Sequence, residues 1–224
     1  IIPFMDLNFV NIKRNEILKN LQYRGSEIPE DIDYLISQSI MDLEKYSKPK
    51  YKYIELNKDK KELEEILLGE DIKTLLNSSE NIILMAVTLG REIEMLTRKY
   101  SFSDLARSVI LDATASAGVE SLANDINEEL SKIYKPMYLT DRFSPGYGDL
   151  PISVQKNFLN LLNAEKDLGI TTTGSGIMVP RKSITAIIGI ADSKQPRRRL
   201  GCESCRLFME CESIKRGETC GYEK

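Results

Sequence analysis

The 224-residue chain contains no histidine. It therefore cannot assemble a Ser-His-Asp triad, a Cys-His dyad or a His-ligated metal from its own residues, nor supply a histidine ligand to cobalt or haem. A Walker A pattern and a G-x-G-x-x-G following a strand are both missing, which disfavours nucleotide binding of those two kinds. Long apolar runs are missing too. The longest, Ile82 to Val87, falls far short of the ~20 residues of a membrane span, so no membrane partner is expected. The opening Ile1-Ile2-Pro3-Phe4 is too short for a signal peptide and has no basic flank. Ile in place of Met at position 1 reads as a trimmed N-terminus. The expected compartment is the cytoplasm. A net charge of −3 gives no reason to expect nucleic acid as a partner.

What is present suits a globular domain. Hydrophobic residues make up 42% and charged residues 29%, and a chain of this length buries about 70% of its unfolded surface without staples. A short helix is expected around Asn11 to Gln22. A clearer one follows from Pro29 to Tyr46, with Ile32, Leu35, Ile36, Ile40 and Leu43 at helical spacing. Tyr51 to Leu56 alternates as a strand does. Lys58 to Asn77 reads as helix in two pieces divided at Gly69, and Asn81 to Val87 as a buried strand. A helix is expected from Arg91 to Tyr100. Ser103 would then cap a long helix reaching Tyr134. Its run Asp112-Ala-Thr-Ala-Ser-Ala-Gly118 suits either close helix packing or the approach of a ligand. Tyr138 to Arg142 reads as extended, Ser144 to Pro151 as a loop, Ser153 to Ala164 as a helix, and Thr171 to Val179 and Ser183 to Ile190 as further extended stretches. Helices and strands mixed without regular alternation imply an α+β fold with a largely antiparallel sheet. A change of composition near Lys194 divides the chain into residues 1–194 and a small Cys-rich tail, residues 195–224.

The loop Arg142-Phe-Ser-Pro-Gly-Tyr-Gly joins a planar fork of donors to a stiffening Pro145. Gly146 lets backbone come close to a ligand, and Tyr147 adds an aromatic face with a hydroxyl. The alternative is a plain turn whose arginine is neutralised by Asp141 or Asp149.

Arg142-Phe-Ser-Pro-Gly-Tyr-Gly-Asp-Leu-Pro, the helix after it and the later Ile177-Met-Val-Pro-x-x-Ser183-Ile-Thr185 resemble the activation domain of cobalamin-dependent methionine synthase. The likeness runs from about Asp104 to Ile190. It implies a single C-shaped α+β domain that binds S-adenosylmethionine in a shallow site. In that family the cofactor remethylates cobalamin whose cobalt has been oxidised: a donor reduces the cobalt, and methyl transfer traps the strongly reducing product. Carried over, Arg142 would hold the methionine carboxylate. Pro145, Gly146 and Tyr147 would shape the loop, with Glu120 on the long helix. Ser175 and Ser183 match family serines, for which buried hydrogen-bonding roles are an equal reading. Ser116 stands where the family has an acidic residue, which leaves the site short of one contact. An aromatic residue that the family uses after its last strand has no counterpart near Asp192.

The tail carries Cys202, Cys205, Cys211 and Cys220. Four clustered thiols in a cytoplasmic protein favour metal over disulfides or unligated cysteines, as zinc or an iron–sulfur cluster. The reaction that the resemblance implies tips the choice towards iron–sulfur. The run Arg197 to Arg199 is either solvated or steers an acidic partner. The expected function is an S-adenosylmethionine-binding component for reductive reactivation of the cobalamin of a methionine synthase or related corrinoid methyltransferase. It would act with that corrinoid-binding module and a flavodoxin- or ferredoxin-like electron donor. The alternative is a non-catalytic corrinoid-docking or electron-transfer protein with its iron–sulfur or zinc site on the four cysteines.

Overall fold

A computed structural model describes residues 12–23 and 27–194. The four cysteines and Arg197 to Arg199 lie outside the described residues. The order of elements is α1 (Arg14–Asn20), α2 (Glu30–Tyr46), β1 (Lys50–Asn57), α3 (Glu70–Leu75), β2 (Ser79–Thr88), α4 (Glu92–Ser103), α5 (Leu105–Ile133), β3 (Tyr138–Leu139), α6 (Gln155–Leu161), α7 (Ala164–Leu168), β4 (Thr171–Thr172), β5 (Met178–Val179) and β6 (Ser183–Ala191). The main sheet has the order β1-β2-β6-β3 and is antiparallel throughout. The fold is α+β, with long helices against an antiparallel sheet.

Strand β2 sits at the centre, and its sequence explains why. Ile82, Leu84 and Ala86 face one core with Phe158, Leu162 and Ile187. Ile83, Met85 and Val87 face the other with Leu122, Ile126 and Leu130 of α5. A strand covered on both faces reads as a continuous apolar run rather than an alternating one. Burying each such side chain stabilises the fold by roughly 1.5–3 kcal/mol. Phe158 is fully buried, and its truncation to alanine would cost about 3–5 kcal/mol.

Helix α5 starts at Leu105. Asp104 is its cap, accepting a hydrogen bond from the Arg107 amide at 3.0 Å, whereas Ser103 closes α4. Aspartate is as good a cap as serine, and here it is the residue with extended backbone. The small residues of α5 serve helix packing. Ala113 and Ala117 pack with Ile17 and Ile36 of α1 and α2, and a Cβ on Gly118 would stand 2.6 Å from Leu43 Cδ2. Asp42 of α2 clamps α4 and α5 together. It accepts from Arg107 Nη2 at 2.8 Å and from the Tyr100 hydroxyl at 3.1 Å, and the Arg107 guanidinium lies 4.2 Å from the centroid of the Tyr100 ring.

Three expectations differ from what forms. Lys61–Leu63 makes only one 3-10 turn before α3. The helix expected from Ser153 is a 3-10 turn (Ile152–Val154) followed by α6 and α7, divided at Asn163. Asn163 takes a left-handed φ of +53°, which stops α6. The stretch Thr171 to Val179 folds back on itself: β4 pairs with β5, the amide of Thr173 donates to the carbonyl of Ile177 at 2.8 Å, and that of Gly176 donates to the carbonyl of Thr173 at 3.0 Å.

Candidate functional site

An open cleft of about 370 Å³ lies between α5, the Arg142–Tyr147 loop, the β4–β5 hairpin and the start of β6. Glu120, Pro145, Tyr147, Ile152, Ile177, Met178 and Arg181 line it, with Ser144, Gln155, Ser183 and Thr185 among its polar groups. Gln155 and Thr185 are buried and satisfy each other: the Gln155 amide donates to the Thr185 hydroxyl at 3.0 Å, and that hydroxyl can return a bond to Gln155 Oε1 at 3.2 Å. Ser144 ties the loop to β6 by donating to the Thr185 carbonyl at 2.7 Å. A mostly apolar wall with a few fixed polar groups is the usual build of a small-molecule site.

The loop has a defined shape. Phe143 bridges to Ile187 of β6 and is buried. The amide of Tyr147 donates to the Ser144 carbonyl at 3.0 Å, and that of Gly146 to the Leu150 carbonyl at 2.9 Å. Tyr147 stays 54% exposed, with its ring edge-on to Phe143 at 6.1 Å.

Arg142 sits beside the cleft rather than on its lining. Its Nη2 donates to Glu120 Oε2 at 3.1 Å and to Asn124 Oδ1 at 2.9 Å, one turn apart on α5. Its Nη1 is buried and makes no hydrogen bond. Glu120, on the lining, therefore joins the arginine to the cleft. Asp149 does not neutralise the arginine; its carboxylate receives the amides of Glu70 and Asp71 instead. Asn124 was not legible as a partner of Arg142, though its spacing of four from Glu120 was the available signal.

A second cation leans on the same helix. Lys182 Nζ donates to Ser116 Oγ and lies within 2.8 Å of Asp112 Oδ1 as well. Sequence reasoning missed it, because only the fold brings β6 onto this turn of α5. Ser183 is buried, its hydroxyl donating to the Pro180 carbonyl at 2.7 Å and lying 2.8 Å from the Thr88 hydroxyl. Ser175 is exposed in the hairpin turn, where its hydroxyl is 2.9 Å from that of Thr173. The structure thus brings Glu120, Pro145 and Tyr147 onto one cleft, with Arg142 behind Glu120, and leaves Ser175 on the hairpin tip. Among the described residues, no cluster of three or more His, Cys, Asp or Glu side chains could hold a metal. Among them, too, no helix is long and apolar enough to cross a membrane.

The frame is an α+β domain with a cleft between one long helix and one stiff loop. The family described as vitamin B12 dependent methionine synthase, activation domain, matches residues 55–195, more than half of the chain, and the chain belongs to that family. Among solved structures, the crystal structure of the MetH reactivation domain bound to AdoHcy is similar, with a TM-score of 0.47 and 23% identity, covering 62% of this chain and 48% of that one. The chain thus spans about half the length of that structure. No curated protein matches it.

Proposed function

We propose that the cleft binds S-adenosylmethionine and that the protein serves the reductive reactivation of cobalamin on a methionine synthase or related corrinoid methyltransferase. Family membership supports the reading. The observation that carries it is the Arg142–Glu120 pair at the cleft wall, with a guanidinium nitrogen that makes no hydrogen bond. The methionine end of S-adenosylmethionine is a zwitterion, and an Arg–Glu pair is its charge complement. Glu120 offers a carboxylate to the ammonium, and Arg142 offers its spare Nη1 to the carboxylate once the fork turns towards the ligand. Pro145, Ile152, Ile177 and Met178 give the apolar wall that a base and ribose need. The exposed ring of Tyr147 gives a π face to a cationic sulfur. The volume suits a ligand of this size, since such sites run from about 300 to 1,000 Å³.

S-adenosylmethionine supplies a methyl group, which the reduced cobalt of the partner accepts. The residues of the cleft hold and orient the donor with its methyl open to that partner, so their contribution is positioning. The four cysteines, Cys202, Cys205, Cys211 and Cys220, fit an iron–sulfur cluster or zinc; a cluster would serve as a relay from a flavodoxin- or ferredoxin-like donor. Anaerobic purification tests this part: a band near ~400 nm marks a cluster, and a colourless protein carrying zinc removes the relay.

Calorimetric titration with S-adenosylmethionine tests the main reading. Saturable heat at one ligand per chain is expected. No heat at millimolar ligand would remove it and leave the second reading, a corrinoid-docking or electron-transfer protein. One observation favours that second reading: Lys182 already occupies Ser116 and Asp112, so the position where the family resemblance places an acidic contact carries a bound cation instead.

A further inference from the structure

The loop that bears Pro145 and Tyr147 returns to the body of the protein through two crossed pairs of residues. On one segment stand Gly69 and Asp71, at the start of α3; on the other stand Gly148 and Asp149. The Asp149 carboxylate accepts the amides of Glu70 at 2.7 Å and Asp71 at 3.1 Å, two of the donors that a helix start leaves without a partner. The Asp71 carboxylate in turn lies 3.3 Å from the Asp149 amide, which donates to it. Each aspartate presses against the glycine of the opposite segment. A Cβ on Gly69 would stand 2.5 Å from Asp149 Oδ1, and one on Gly148 would stand 2.0 Å from Asp71 Oδ2. Both glycines have positive φ, +112° and +52°, where a side chain would also strain the backbone. Two glycines and two aspartates thus form an interlocked clasp, in which a side chain on either glycine would displace the carboxylate packed against it.

We infer that Asp149 is a positioning residue for the cleft: the clasp fixes the Arg142–Pro151 loop so that Tyr147 and Pro145 stand at the rim in one geometry. Tyr147 sits between two left-handed glycines, Gly146 and Gly148, and is more than half exposed. Its ring meets Phe143 edge-on at 6.1 Å. Directly after it, the clasp and the buried Leu150 tie the chain down. Without the Asp149 carboxylate, the backbone bonds within the turn remain but the turn loses its anchorage to the start of α3, and a ligand would have to fix its position on binding. That ordering lowers apparent affinity by the fraction of time the loop spends in the competent shape. The inference rests on the cleft being the S-adenosylmethionine site.

The test compares Asp149→Ala and Asp149→Asn with Asp104→Ala, which removes a helix cap far from the loop. Titration with S-adenosylmethionine gives affinity, and hydrogen exchange followed by mass spectrometry reads residues 144–151 without any ligand. Asp149→Ala is expected to bind about tenfold more weakly and to exchange faster over 144–151, with β2 and β6 unchanged. Asp149→Asn keeps one acceptor oxygen and should fall between it and the parent. Asp104→Ala should lose thermal stability and keep the parent's affinity. Parental binding by Asp149→Ala, or faster exchange spread through β2 and β6, overturns the inference. If the parent itself does not bind, the cofactor reading falls, and the clasp then stands or falls on the exchange of 144–151 alone.

Discussion

Two cations lean on the same face of α5, and they do different work. Arg142 reaches Glu120 and Asn124; Lys182 reaches Ser116 and Asp112. The four helix residues follow at intervals of four, so they form one polar stripe. Both cations are largely covered, with side chains 21% and 12% exposed. At the Lys182 end the helix supplies two close oxygens to a compact ammonium, and neither Ser116 nor Asp112 lines the cleft. At the Arg142 end the fork is only half used. Nη2 has two acceptors, Nη1 has none, and Glu120 lines the cleft. An ion pair with a spare donor and a partner on a cavity wall is equipped to bind; one whose partners lie off the cavity is a strut. The stripe thus contains a candidate site at one end and a brace at the other.

The sharpest way to break that comparison is to remove the arginine. Arg142→Ala is expected to weaken S-adenosylmethionine binding about a hundredfold, since losing one partner of a charged, hydrogen-bonded contact costs several kcal/mol. Arg142→Lys should recover only part of the loss, because a point charge cannot bond Glu120, Asn124 and a ligand carboxylate in the plane of a fork. Stability should fall little, as Glu120 is 56% exposed and water replaces the arginine. Parental affinity in Arg142→Ala, measured by titration, would make this end a brace as well.

Glu120→Gln is the next largest. It keeps the shape and an acceptor for Arg142, and it removes the charge that would meet the ligand ammonium. About a tenfold loss is expected, the size of one charge-assisted hydrogen bond reduced to a neutral one. Charge is the only variable, so the loss should shrink for an analogue lacking the α-amino group. Equal losses for both ligands would mean that Glu120 acts only through Arg142.

The stripe also marks how far the sequence could be read. Ile82 to Val87 and the spacing of Ile32, Ile36 and Leu43 are local patterns, and β2 and α2 form where those patterns fall. The long helix was legible to within a residue at each end, with its cap at Asp104 in place of Ser103. The loop Arg142–Tyr147 was legible as a stiff turn because Pro and Gly act locally. Its contacts were not. Glu120 precedes Arg142 by 22 residues, and Asp149 bonds amides 78 and 79 residues away. Such pairings follow from packing, which no local pattern encodes. Two aspartates flanking the loop were natural partners for its arginine on paper, and one of them proves to cap a distant helix. The hairpin at Thr171 to Val179 has the look of one extended stretch for the same reason. Its turn rests on Gly176, whose φ is +82° and where a Cβ would stand 3.0 Å from Ile152, 24 residues earlier.

The smallest expected effect tests the brace. Lys182→Met keeps the length of the side chain and removes its charge. Ser116 would keep a partner, since its hydroxyl also lies 3.1 Å from the Asp112 carbonyl, and Asp112, 52% exposed, would be rehydrated. The fold should lose only about 0.5–1 kcal/mol, the range of a partly exposed ion pair, measured by urea unfolding. Affinity for S-adenosylmethionine should stay within about twofold, because neither partner of Lys182 reaches the cleft and screening is strong at an exposed carboxylate. A rise well beyond that, at unchanged stability, would show that the ammonium repels the cationic ligand. Lys182 would then set how tightly this chain holds S-adenosylmethionine, and the serine at position 116 would matter through the lysine it keeps in place.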